Sequence, residues 1–115
     1  MPTETATFEL VGVKYRCSFQ NANYLQNWTP PSEAGLYAVY VVNADGKYDH
    51  SRPIYIGQTG DLDARGFNSH HKVTCWERQA RGGKIAIAVC YISNEKQRLD
   101  AEADLIAIYQ PVCNG

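Results

Sequence analysis

"PIYIGQTGDLDAR", residues 53–65, sets an aromatic, β-branched run against a glycine and a polar turn. Residues 53–58 read as a strand, because β-branched and aromatic side chains suit a pleated, half-buried surface. Asp61 then offers a carboxylate to the first turn of a following helix, expected across residues 61–72, although Gly66 weakens it. Upstream, "GLYAVYVV" at 35–42 has the composition of a buried strand, and Asp45-Gly46 between the two runs is a strong turn signal. The pair therefore reads as an antiparallel hairpin with a long connection.

Working outward, "ATFELVGVKYRCSF" alternates in places and reads as one strand, or as two short ones bent at Gly12. From Asn21 to Gly35 the chain carries Asn, Pro, Ser and Gly and reads as a loop, with at most a helical turn at 24–28. "TCWERQA" suits a helical turn that "RGG" ends, and "KIAIAVCYI" at 84–92 is another apolar strand. Asn94 is placed to cap the last helix, with Gln97 at the third position, and Pro111 stops it. The order predicts an α+β domain: a small antiparallel sheet with helices beside it.

A chain of 115 residues is enough for one domain with its own core. The net charge is only −1, but five Lys or Arg (Arg65, Lys72, Arg78, Arg81, Lys84) face one acid, Glu77, between positions 65 and 84. That stretch is a candidate anion-binding face, or simply a solvated surface. Four cysteines permit two disulfides, yet no CxxC pair occurs and a reducing cytoplasm is the expected setting. Zinc would have to gather ligands from distant places, against the short spacings usual for structural sites. No apolar run reaches membrane-spanning length.

The last helix carries a defect. Its expected apolar stripe is Leu99, Ala103, Leu105, Ile106 and Tyr109, with Glu102 among them and Asp100 and Asp104 on the solvated side. A carboxylate there must be paired, protonated or holding a cation.

Together these residues resemble a known family. "GLY" at 35–37 and "YIG" at 55–57 resemble the two signatures of the GIY-YIG nuclease domain, with Leu36 in place of the usual Ile. Arg65 follows ten residues after Tyr55, as the family's essential arginine does, histidines come next, and Glu102 and Asn114 stand where the family has its metal-binding glutamate and its last-motif asparagine. The resemblance covers residues 35–115 and implies a three-stranded antiparallel sheet flanked by helices. It leaves residues 1–34 as an extension able to add a strand.

The resemblance further implies a metal-dependent DNA endonuclease. Mg²⁺ or Mn²⁺ would be held by Glu102, and Arg65 would grip the scissile phosphate. Tyr37 would serve as base, its pKa lowered by Arg65 or the metal, with Tyr55 positioning the water or phosphate. His70 or His71 would assist proton movement, and Asn114 would brace the metal side or touch the phosphate. Lys72, Arg78, Arg81, Lys84 and Gln58 would form the DNA-binding face.

Three departures stand out. The gap between Tyr37 and Tyr55 is long. Ser69 occupies the usual histidine position, with His70 and His71 just after it. Gln58 follows YIG where some members carry lysine. On a helix the two histidines would point about 100° apart, so only one would face the site. A GIY-YIG-like module that binds nucleic acid without cutting it, and a cysteine- and histidine-based metalloprotein, are the competing readings.

Overall fold

The computed structural model describes residues 7–114. Its strands are β1 (Thr7–Val11), β2 (Arg16–Tyr24), β3 (Gly35–Val41), β4 (Tyr55–Thr59) and β5 (Ile85–Tyr91). Its helices are α1 (Val73–Ala80), before β5, and α2 (Glu95–Tyr109), after it, with 3-10 turns at Leu25–Asn27, Phe67–Ser69 and Val112–Asn114.

The strands make one sheet in the order β1-β2-β5-β3-β4, every neighbouring pair antiparallel. The expected β3–β4 hairpin is present, with Tyr37 opposite Gly57 and Val39 opposite Tyr55. Both sheet faces are covered. Tyr37, Val39, Tyr55, Ile87 and Val89 pack with Leu62, Phe67 and Trp76 on one side. Leu36, Ala38, Ile56, Ala88 and Cys90 pack with Phe19, Ala101 and Leu105 on the other. This double burial is why β3 and β5 read as near-continuous apolar runs rather than alternating ones.

The chain before Gly35 adds two strands, so Gly12 separates β1 from β2. Asp104 of α2, expected in solvent, accepts the amides of Val13, Lys14 and Tyr15 at 2.9–3.0 Å, which hold its carboxyl below its ordinary pKa. That contact seats the first hairpin on α2. The loop expected from Asn21 is instead strand as far as Tyr24. Ladder pairing of Asn23 with Ile87 and Tyr24 with Ala86, across a register shift, overrides the local turn preference.

The helix expected at 61–72 does not form. Asp61 does cap, its Oδ1 accepting the Asp63 amide at 3.0 Å. Gly66 then adopts φ 66°, which breaks the path, and the segment closes as turns.

On α2, Asn94 caps as expected, accepting the Gln97 amide at 2.9 Å. The buried face is Arg98, Ala101 and Leu105 rather than the expected stripe; Leu99 and Ala103 are exposed.

The expectation of reduced cysteines is corrected for one pair: Cys75 of α1 is bonded to Cys113, while Cys17 and Cys90 stay free and buried. Among the described residues no helix is long and apolar enough to cross a membrane, and no three of His, Cys, Asp or Glu gather as a metal cluster.

Candidate active site

Tyr37 is placed by β3 and lies over the first residues of β4, because position 57 has no side chain. A Cβ on Gly57 would fall 2.5 Å from Tyr37 Cζ and Oη, and 2.8 Å from Tyr55 Cε2. The glycine of "YIG" thus makes room for both tyrosines, whose ring centroids stand 6.0 Å apart. Phe67 meets the Tyr37 ring edge-on at 4.8 Å and fixes its tilt.

Two side chains converge on the Tyr37 oxygen. Arg65 Nε donates at 3.3 Å and His70 Nε2 lies at 2.8 Å. The His70 tautomer follows from its other nitrogen. Nδ1 accepts the Lys72 amide at 3.0 Å, so the ring proton is on Nε2 and His70 donates to Tyr37. Burial, and then the charges of Arg65, His71 and Lys72, push His70 down to about 4, so the ring is neutral at ordinary pH.

His71 stacks on His70 at 4.6 Å, and its Nδ1 lies 3.3 Å from Arg65 Nη2. Both histidines therefore reach the site, contrary to the helical expectation. His70 follows a 3-10 turn in extended backbone, and no 100° offset separates the two rings.

The expected lowering of Tyr37 is also corrected. Arg65 pulls its pKa down, but burial of the phenol outweighs that and raises it well above its ordinary value. Tyr55 is raised too, by burial first and by the Glu102 charge second.

Asn114 does not project a free amide. Its Oδ1 accepts the Ile56 amide at 2.9 Å and its Nδ2 donates to the Ile56 carbonyl at 2.8 Å. It thereby satisfies the outer edge of β4 beside Tyr55. The Cys113 backbone amide donates a hydrogen bond to the Ile54 carbonyl at 2.8 Å.

Gln58 turns to the α2 side of the sheet, where its Oε1 accepts from Arg98 Nε at 2.8 Å. Arg98 was not singled out by sequence. It sits on the buried face of α2 and gave no pattern beyond its place one turn before Glu102.

The basic residues do not form one cluster. Lys72 adjoins His70, whereas Arg81 and Lys84 lie past the other end of α1, an eight-residue helix about 12 Å long. Lys84 Nζ rests 4.7 Å from the centre of the Tyr24 ring.

The fold as a whole is similar to that of solved structures. The chain aligns with the GIY-YIG N-terminal endonuclease domain of UvrC from Thermotoga maritima bound to magnesium at 26% identity and TM-score 0.54, covering 75% of this chain and 88% of that one. A tyrosine-to-phenylalanine variant of that domain, bound to its catalytic divalent cation, aligns at 26% identity and TM-score 0.53, covering 75% and 87%. No sequence-family model and no curated protein matches the chain.

The chain shares the fold of GIY-YIG endonuclease domains. Its fold is that of a metal-dependent nuclease domain, here with a sheet widened to five strands. Whether this GIY-YIG chain suits a divalent cation is tested by Glu102. The side chain is half-buried on α2, burial raises its carboxyl, and no ion pair or hydrogen bond to it occurs among the described residues. A half-buried carboxylate without a cationic partner, close enough to raise Tyr55, is the donor that a hard cation with several waters of its own requires. The residues present fit the metal.

Proposed function

We propose that the protein is a metal-dependent endonuclease that hydrolyses phosphodiester bonds in DNA, with residues 35–115 as the nuclease unit and residues 1–34 as an N-terminal extension. The observation that carries this reading is the Tyr37–His70–Arg65 network, together with a half-buried Glu102 near Tyr55 that pairs with no cationic side chain among the described residues.

Mg²⁺ or Mn²⁺ held by Glu102 would supply charge neutralisation at the phosphoryl oxygens and ease loss of a proton nearby. The remaining roles belong to the chain. Arg65 keeps Nε on Tyr37 and offers its Nη edge to the scissile phosphate, using the planar fork that suits phosphate oxygens. Tyr37 is the base: once its own phenol proton has passed to solvent, the phenolate Oη takes the proton of the attacking water. Its anion would be received by two N–H donors already in place, on Arg65 and His70. Because Lys72 fixes the proton on Nε2, His70 serves as that donor rather than as a proton acceptor. His71 steadies Arg65, Tyr55 positions water or phosphate, and Asn114 holds β4 in register beneath them. Lys72, Arg78, Arg81 and Lys84 contact the DNA backbone.

One observation favours a second reading, a module that binds DNA without cutting it. Burial keeps Tyr37 a phenol at neutral pH in the free protein. Incubation with plasmid, branched and single-stranded DNA, in Mg²⁺, Mn²⁺ or EDTA, separates the two. Cleavage in metal and none in EDTA supports the endonuclease, and binding with intact DNA throughout supports the module.

A further inference from the structure

Arg98 is 4% exposed, yet every group that receives its hydrogen bonds is neutral. Nε donates to Gln58 Oε1 at 2.8 Å, and Nη1 to the carbonyls of Ile92 and Ser93 at 3.2 and 3.3 Å. Among the described residues no carboxylate pairs with it. Glu102, four residues on, makes no ion pair with it, and Asp61, past Gly60, is engaged by Ser32 Oγ and by amides of its own turn. A buried cation held only by dipoles leaves part of its desolvation cost unmet, and an anion at its open edge offsets it.

That open edge exists. Nη2 makes no hydrogen bond among the described residues, and it is not among the fully buried unsatisfied atoms, so it reaches the surface. Its exit lies beside exposed Gly60, where even an added Cβ would stay 3.7 Å away. Gly60, beside that exit, opens the turn segment that carries Arg65 five residues later. Arg98 precedes Glu102 by one turn of α2, and its anchor Gln58 follows Tyr55 by three residues on β4.

We propose that Arg98 is a second phosphate-binding arginine, which takes through Nη2 a DNA phosphate flanking the one gripped by Arg65. The proposal rests on the endonuclease reading. Gln58 is then the positioning residue, its amide oxygen aiming the guanidinium so that Nη2 faces outward.

The test is the salt dependence of binding to a short fluorescent DNA duplex in EDTA, where no metal-dependent cleavage intervenes. Gln58→Glu supplies the guanidinium with a carboxylate inside the fold. It should keep or raise the melting temperature, weaken binding several-fold and lower the slope of log K against log salt by about 0.9, one phosphate contact. Arg98→Lys should keep the slope, because the charge remains. Arg98→Met should lose it, and if that variant fails to fold, Gln58→Glu still decides. A wild-type slope in Gln58→Glu overturns the proposal while leaving the endonuclease reading intact. Absence of DNA binding by the wild-type protein in EDTA overturns the proposal, and absence of cleavage in Mg²⁺ as well overturns the endonuclease reading with it.

Discussion

His70 Nε2 donates to Tyr37 Oη across 2.8 Å, and the Lys72 amide on the opposite ring nitrogen makes that direction obligatory. The ring is buried against Trp76 at 4.5 Å and Tyr55 at 5.2 Å, so protonating it places a second charge near Arg65 without solvent.

Stability should therefore depend on pH through this ring. Its folded pKa is lowered to about 4 from an ordinary 6.5, so the unfolded chain takes the proton first as pH falls. The contribution is complete above about 6.5 and is lost progressively toward about 4. Melting temperatures of wild type and His70→Gln, compared from pH 7 to pH 4.5, should converge at the acid end. Parallel curves would mean that the ring titrates as it does in water.

Glu102→Gln should abolish metal-dependent cleavage and leave the fold at least as stable, because it removes a half-buried charge that has no ion pair or hydrogen bond among the described residues. Mg²⁺ should raise the melting temperature of the wild type but not of the variant, as expected for a ligand that binds only the folded state. Wild-type cleavage by Glu102→Gln would remove Glu102 from the metal site.

Gly57→Ala probes the space that the tyrosines share. The new methyl would stand 2.5 Å from Tyr37 Cζ and Oη, so the phenol must shift off Arg65 and His70. A loss of about 1–3 kcal/mol in stability is expected for such overpacking, together with most of the activity. Denaturant titration and a plasmid-nicking assay measure both, and an active variant would show that the register of Tyr37 is not critical.

The hairpin, the "KIAIAVCYI" strand and the Asn94 cap were legible because local propensity and tertiary pairing agree there. At 61–72 they part. Asp61 caps as its type predicts, but Gly66 turns left-handed, and the segment brings Arg65 and His70 to one phenol, with His71 against both of them. The buried face of α2 misled for a different reason. Arg98 looks like a solvent residue until Gln58 and two carbonyls are known to receive it. The direction of the His70 hydrogen bond depends on a backbone amide that no side-chain pattern reveals.

Cys75–Cys113 closes a sequence separation of 38 residues and fastens α1 to the turn that carries Asn114. Loop-closure entropy for that length corresponds to about 4 kcal/mol. Reductant should lower the melting temperature of the wild type and leave a Cys75→Ala/Cys113→Ala double variant unmoved at the lower value. Equal melting with and without reductant would show that the bridge does not hold the native state.

Tyr37→Phe separates the chemical role of the hydroxyl from its structural one. The ring keeps its packing on Phe67 and Tyr55, so the loss is confined to Oη. That oxygen accepts from Arg65 Nε and His70 Nε2, and removing it leaves the buried His70 donor without a partner, at a cost of about 1–3 kcal/mol. A purely structural hydroxyl predicts that cost and little change in rate once the protein is folded. A base predicts a fall on the order of 10²-fold or more. The pH profile adds a second criterion. Burial raises this phenol, so wild-type activity should climb as pH rises toward the alkaline side, and the climb should vanish in the variant. His70 adds no inflection between pH 5 and 8, since it is already neutral there. Measurement at saturating Mg²⁺ excludes weakened metal binding as the cause. Tyr55→Phe, assayed in parallel, should retain the climb, because Tyr55 positions rather than accepts. If Tyr55→Phe loses the climb and Tyr37→Phe keeps it, the roles are exchanged; if neither loses it, no tyrosine is the base.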